Sequence, residues 1–265
     1  MEERLLITAE ALRRIARRQE LPAGVVEKDY AISWLLKEVY ENTLLKEALI
    51  FKGGTALRKV YFPETWRLSH DLDFTAIGDL SPKAIRDGLE QVFTAIKKSN
   101  GMVFELRSFH ITDGSIIAGV QFTGPLVHKN RLRADITLDE KLVTPPELRT
   151  VSTGYPDIPA FRVKVYSPKE ILIEKVRSII QRGKSRDYYD VWRIFKDDEF
   201  DMDEVKNLLI KKCQINEIDY KPELIFDEDR LKEAEGYWQK ALGELTKELP
   251  DFNIVISELK TKLVI

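Results

Sequence analysis

Two segments of this chain alternate apolar and polar side chains with a period of two, and both carry aspartate on the polar side. In residues 71–76, Leu72, Phe74 and Ala76 alternate with Asp71, Asp73 and Thr75. In residues 131–138, Leu132, Ala134, Ile136 and Leu138 alternate with Arg131, Arg133, Asp135 and Thr137. Successive side chains of an extended strand point to opposite faces, so each segment is expected to be a strand with one covered and one open face. Asp71 and Asp73 then share the open face, and Asp135 joins them if the two strands are neighbours.

A third stretch adds a turn. Lys52, Gly53, Gly54 and Thr55 follow the apolar run Leu49, Ile50, Phe51 and precede a segment of helical character beginning at Ala56. A glycine turn at a helix start offers backbone N–H groups to phosphate. Together the three stretches suggest a metal-dependent nucleotide-transfer site. Asp71 and Asp73 would share Mg²⁺ (or Mn²⁺) through hard oxygen ligands, with Asp135 as third ligand or as base for an acceptor hydroxyl, while Gly53, Gly54 and Thr55 cradle phosphate. Each piece also has a bland reading. The glycines can be a tight strand-to-helix turn capped by Thr55, Asp-x-Asp pairs commonly face solvent, and Asp135 between two arginines can be a surface ion pair.

In this order, with Glu27, Lys28, Asp29 and Tyr30 ahead of an apolar helix, Arg67 and Ser69 ahead of Asp71, Lys169, Glu170, Glu174 and Lys175 further on, and Arg186, Asp187 and Asp190 after them, the chain resembles the AbiEii-type nucleotidyltransferases. These are toxin components of abortive-infection and toxin–antitoxin systems within the DNA polymerase β-like superfamily. Two departures from the superfamily pattern are Thr55 in place of the usual serine and a longer gap before Asp71. The resemblance implies an α/β (α+β) fold, a polymerase β-like mixed sheet with flanking helices followed by a helical C-terminal lobe. It implies catalytic roles for Asp71, Asp73, Asp135, Lys175 and Asp187, and nucleotide binding by Lys52, Gly53, Gly54, Thr55, Arg67, Ser69 and Lys169. It further implies a nucleoside triphosphate donor, an RNA acceptor such as a tRNA 3′ end, and a separately encoded antitoxin. The alternatives are a nucleotidyltransferase acting on a small-molecule hydroxyl and a catalytically silent nucleotide-binding scaffold.

The later motifs have their own local physics. Ser167, Pro168 and Glu170 form a helix start in which Glu170 is expected to complete a capping box. Ile171 and Ile179 lie four residues either side of Lys175, so its stem runs along an apolar stripe. Gly183 should end that helix and Ser185 cap the next, where Asp187 and Asp190 share a face with Val191 and Ile194. A helix–helix salt bridge from these acids to Lys175 or Arg177 is the structural alternative to a catalytic role.

At 265 residues the chain is expected to form two lobes, residues 1–166 and 167–265. Helices are expected over residues 2–20 and 27–40, strands near 48–52, 102–111 and 115–123, and a helix from Pro82 to about Lys98. Residues 139–162, with Pro145, Pro146, Gly154 and Pro156, are expected to be a long connection. A net charge of −2 disfavours a nucleic-acid coat protein. The arginines Arg13, Arg14, Arg17 and Arg18 are expected on the outer face of an amphipathic helix, and Lys129, Arg131 and Arg133 beside the metal site. His70 is expected to pack beside Leu72. Lone Cys213 and the lack of an apolar targeting stretch point to a cytoplasmic, membrane-free protein.

Overall fold

The computed structural model describes residues 7–63, 67–69, 71–138 and 140–265. They fall into two compact units, Met1–Glu140 with Pro146–Val165, and Lys141–Pro145 with Tyr166–Ile265. The first unit runs α1 (Ala9–Gln19), α2 (Ala23–Glu41), α3 (Leu45–Ala48), β1 (Leu49–Lys52), α4 (Gly53–Ala56), a π-helical turn (Leu57–Tyr61), β2 (Asp71–Ala76), α5 (Pro82–Asn100), β3 (Val103–Thr112), β4 (Ser115–Thr123), β5 (Lys129–Leu138), β6 (Glu147–Val151) and β7 (Phe161–Val165). The strands make one mixed sheet in the order β3-β4-β5-β2-β1-β7-β6. β2 pairs parallel with β5 and β1 parallel with β7, and the remaining neighbours are antiparallel.

The two alternating segments are thus adjacent strands. Their apolar side chains Leu72, Phe74, Leu132, Ala134 and Ile136 are buried together with Ile116, Ala118, Val120 and Phe122 of β4. Helix α5 starts where Ser81 accepts the Ala84 N–H at 3.2 Å and Pro82 occupies the first turn, and it stops at Gly101 in the left-handed region. Its Phe93 stacks on Phe104 and Phe104 on Phe122, each pair of rings 5.8 Å apart. Burying a ring of this size contributes roughly 2–3 kcal/mol, and the stack fixes α5 to the covered face. In α1, Leu12 and Ala16 are buried while Arg13, Arg14, Arg17 and Arg18 are exposed, which gives the amphipathic helix its expected outer face.

The expected long connection is corrected. Residues 139–162 are not a bare connection, because β6 lies inside them and β7 begins there, and β7 extends the sheet beside β1 with Phe51 opposite Val165. Tyr40 of α2 locks this junction. Its hydroxyl donates to the carbonyls of Leu49 at 3.0 Å and Lys164 at 2.6 Å and accepts the Phe51 N–H at 3.0 Å. The expected helix over residues 2–20 is described from Ala9 onward, its first residues lying outside the described ones, as does His70.

The second unit consists, among the described residues, of helices alone: α6 (Pro168–Arg182), α7 (Ser185–Asp197), α8 (Met202–Ile215), a 3₁₀ turn (Pro222–Phe226), α9 (Glu228–Gly236), α10 (Trp238–Leu242) and α11 (Phe252–Lys262). Ser167 caps α6 as expected, accepting the Glu170 N–H at 3.0 Å, and Gly183 ends it at φ 55°. The Glu170 carboxylate does not close a capping box. It accepts instead the backbone N–H groups of Val143 and Thr144 and an ammonium proton of the fully buried Lys212. Lys184, not Ser185, occupies the N-cap of α7, since the Ser185 hydroxyl donates to the Ala234 carbonyl at 2.7 Å. Cys213 is a buried thiol. No helix among the described residues is long and apolar enough to cross a membrane.

Candidate active site

The open face of the central strands gathers the expected acids. Parallel pairing sets Asp73 directly opposite Asp135 and Asp71 opposite Arg133, and antiparallel pairing sets Lys52 opposite Asp73. Paired residues project to the same side of a sheet, so Lys52, Asp71, Asp73, Arg133 and Asp135 share one face. Arg133 places its Nε 2.5 Å from Asp135 Oδ1. Its guanidinium is held above its ordinary pKa, first by that hydrogen bond and then, against partial desolvation, by the charges of Asp135, Asp71 and Asp73. The field of all three carboxylates therefore converges on one small region, and a cation already sits in it.

The glycine turn abuts these acids. Gly53 has φ +78°, which side-chain-bearing residues rarely adopt, and a Cβ built there would overlap the Asp73 carboxylate. Both facts require glycine. Gly54 is buried in the first turn of α4. Thr55 is buried, and its hydroxyl donates to the Asp71 carbonyl. The side chain thus fixes where Asp71 begins its strand. Arg67 is buried with its guanidinium on the Leu68 carbonyl at 3.2 Å, and Ser69 is half-buried in the segment that leads into Asp71.

Residues outside the expected set hold these strands in place. Glu27 accepts the Leu126 N–H at 2.7 Å, in the segment ahead of β5. Asp29 pairs with Lys59 at 2.6 Å and accepts the Tyr155 hydroxyl at 2.8 Å, while Lys59 also donates to Ser33 at 2.8 Å. Burial opposes the charge on Asp29, yet Lys59 and Arg58 outweigh it and leave the carboxyl below its ordinary pKa. Tyr30 donates to Asp157 at 2.5 Å. Three residues of the motif at 27–30 thereby anchor the segments on either side of the acidic face, a structural role rather than contact with it. Glu140 joins this face without any motif to mark it in the sequence. Its carboxylate pairs with Lys52 and accepts the Thr75 hydroxyl at 3.0 Å, on the same face as the acids. Only its place after a strand could have signalled it, and such places are commonly turns.

In the second unit, Lys175 lies 3.2 Å from Asp187 and 2.9 Å from Asp190, whose side chains are 1% and 0% exposed, and Arg182 donates to Asp187 at 3.0 Å. This is the helix–helix salt bridge anticipated as the structural alternative. Arg177 instead meets Glu174 at 3.0 Å. Lys169 pairs with Glu204 at 2.5 Å across α6 and α8.

The family model described as nucleotidyl transferase AbiEii toxin, type IV TA system, matches residues 34–262. The chain belongs to the AbiEii family. It is thus a nucleotidyltransferase toxin of a type IV toxin–antitoxin system, with an antitoxin implied as partner. Among solved structures it is similar to MenT4, a nucleotidyltransferase toxin from Mycobacterium tuberculosis, with a TM-score of 0.70 at 20% identity over 97% of this chain and 89% of the other. That likeness establishes the fold as one that nucleotidyltransferase toxins use. No curated protein matches the sequence.

The AbiEii acids also bear on a divalent ion. Among the described residues no three His, Cys, Asp or Glu side chains are already drawn into a metal-sized cage. Asp135 is turned to Arg133, and that ion pair would have to open. The donor chemistry nevertheless fits, because the hard carboxylate oxygens of Asp71, Asp73 and Asp135 suit Mg²⁺ or Mn²⁺ and their field already holds one cation at Arg133.

Proposed function

We propose that this AbiEii protein transfers a nucleoside monophosphate from a nucleoside triphosphate to a hydroxyl of RNA, at a tRNA 3′ end, in the first unit. What supports the reading is the register that puts Asp73 opposite Asp135, with Asp71 two residues along the same face and Gly53 packed against Asp73. In the reaction the acceptor oxygen bonds to the α-phosphorus, the bond from that phosphorus to the bridging oxygen breaks, and pyrophosphate leaves. Asp71 and Asp73 would hold Mg²⁺ or Mn²⁺, which bound there offsets charge developing on the phosphoryl oxygens. Asp135, released from Arg133, would complete that ligand set or take the acceptor proton. The backbone of Gly53, Gly54 and Thr55 would cradle the triphosphate, and Lys52, Arg67 and Ser69 belong to the same nucleotide-binding segment. Lys169, Lys175 and Asp187 enter the reaction through the family resemblance, and the domain assignment follows it: residues 1–166 carry the transferase chemistry and residues 167–265 form the helical lobe.

Incubation with total RNA, Mg²⁺ and each labelled nucleoside triphosphate tests the reading. Label should enter RNA of tRNA size and vanish with Asp73→Asn. Label in a low-molecular-weight product would move the activity to a small-molecule hydroxyl. Absence of any label, with Asp71→Ala indistinguishable from the parent, would reject the reading.

A further inference from the structure

The open face continues past the acids on the β5 side. Lys129, Arg131 and Arg133 precede Asp135 at every second position of β5, so the four side chains line that face at intervals of about 6.6 Å. Arg133 is committed to Asp135. Lys129 and Arg131 are exposed and make no ion pair among the described residues. Glu105, the acid across β4 from Arg131, is taken up by Arg107 at 3.3 Å and by Gln121 at 3.2 Å. The face beside this row is low, since Gly119 stands opposite Arg133 and the small Ser108 side chain packs over it.

The row also lies on one particular flank. In the strand order β4-β5-β2-β1, the glycine turn that follows β1 packs on Asp73 from one side of β2, and Lys129 and Arg131 lie on the other. In-line transfer puts the attacking hydroxyl and the departing pyrophosphate on opposite sides of the phosphorus. With the triphosphate on the glycine flank, the acceptor comes from the β5 flank. Consecutive cations in a line suit the phosphates of one extended strand, which a positively charged track follows without reading its sequence. We propose that Lys129 and Arg131 hold the sugar–phosphate backbone of the acceptor RNA as a single strand, its 3′ hydroxyl at the Asp135 end of the row and its inner nucleotides toward Lys129. This rests on the proposed transfer of a nucleotide to RNA at the same face.

The test is fluorescence anisotropy of the full chain with a short 5′-labelled single-stranded RNA, without nucleotide or divalent ion. Lys129→Ala with Arg131→Ala should bind roughly three- to tenfold more weakly than the parent. Its plot of log affinity against log salt should be shallower by about 1.4, two cations at about 0.7 each. Lys129→Glu with Arg131→Glu should bind more weakly still. A thermal melt checks folding, and both variants should keep the parental Tm because these side chains are exposed. Arg14→Ala with Arg18→Ala removes the same charge from exposed positions of α1 and should bind as the parent does. In the transfer assay, Lys129→Ala with Arg131→Ala should raise the KM for RNA and leave that for the nucleoside triphosphate near the parental value. A photoreactive thiouridine set inward from the 3′ end should crosslink nearer Lys129 than one at the end itself, and the reverse order would overturn the inference. Equal weakening by the α1 and β5 variants, or parental binding by the β5 variants, would also overturn it, while label still entering RNA would leave the transferase reading intact. A raised KM for the nucleoside triphosphate alone would overturn it by assigning the two cations to the donor. Label entering only a small molecule would remove the inference and the RNA reading together.

Discussion

Gly53 is the residue at which backbone conformation and site chemistry coincide. Its φ of +78° disfavours any side chain, and the nearest atom to an added Cβ belongs to the Asp73 carboxylate. Gly53→Ala should lower stability by about 1–3 kcal/mol in a denaturant titration and should also reduce nucleotide transfer by displacing Asp73. A loss of stability alone would show that the close approach does not matter to chemistry. Lys175 offers the opposite case. Lys175→Ala would leave Asp187 and Asp190 buried without their shared cation, although Arg182 still reaches Asp187. Breaking a buried pair from one side destabilises by roughly 3–5 kcal/mol, and the lower end is expected here because of that arginine. Thermal denaturation checks the loss, and Lys175→Arg, if it restores Tm without restoring transfer, assigns the ammonium a chemical role as well.

At the scale of elements, α2 acts as a spine whose polar residues reach into the sheet. The Tyr40 hydroxyl has one donor and two acceptor partners on β1 and beside it, and burial pushes its pKa well above the ordinary value. Tyr40→Phe leaves the Phe51 N–H and two carbonyls less satisfied, so it should lower unfolding free energy by about 1–3 kcal/mol with little change in volume. The Asp29–Lys59 pair joins α2 to the π-helical turn that follows the glycines. Because the folded-state pKa of Asp29 lies below its unfolded value, its contribution is present above about pH 4 and is lost as pH falls through the folded pKa. Asp29→Asn should therefore flatten the acidic limb of a plot of Tm against pH.

At the scale of the whole molecule, the chain enters the second unit early, through Lys141–Pro145, and commits itself there only from Tyr166. Val143 and Thr144 give their N–H groups to Glu170, and Lys212 donates to the Lys141 carbonyl at 2.9 Å. A fragment of residues 167–265 would lack these partners and retain a buried Glu170 and Lys212 with part of their network missing. It should unfold at lower denaturant than the same fragment supplied with residues 141–145 as a peptide, measured by circular dichroism. Equal stability would mean that the early segment contributes nothing to this core.

The sequence by itself determined the amphipathic strands, because period-two alternation in residues 71–76 and 131–138 leaves one covered face and hence places Asp71 with Asp73 and Asp135 with Arg133. The start of α5 at Pro82 and both ends of α6, at Ser167, Pro168 and Gly183, were legible too because they act through local backbone geometry, whereas α5 runs on past the expected Lys98 to Asn100. In Phe161, Val163 and Val165 the same alternation spans only five residues after a proline-rich stretch, too short a run to mark β7 by itself. Only the tertiary structure decided which strands are neighbours and in what register, since pairing depends on contacts between segments some sixty residues apart, such as Asp73 and Asp135. It alone decided that Glu170 turns to a distant loop, that Lys175 lies between two buried aspartates, and that Glu140 folds back to Lys52. A charged side chain taken out of water settles on whichever partner the packed chain brings within reach, and no local spacing encodes that choice.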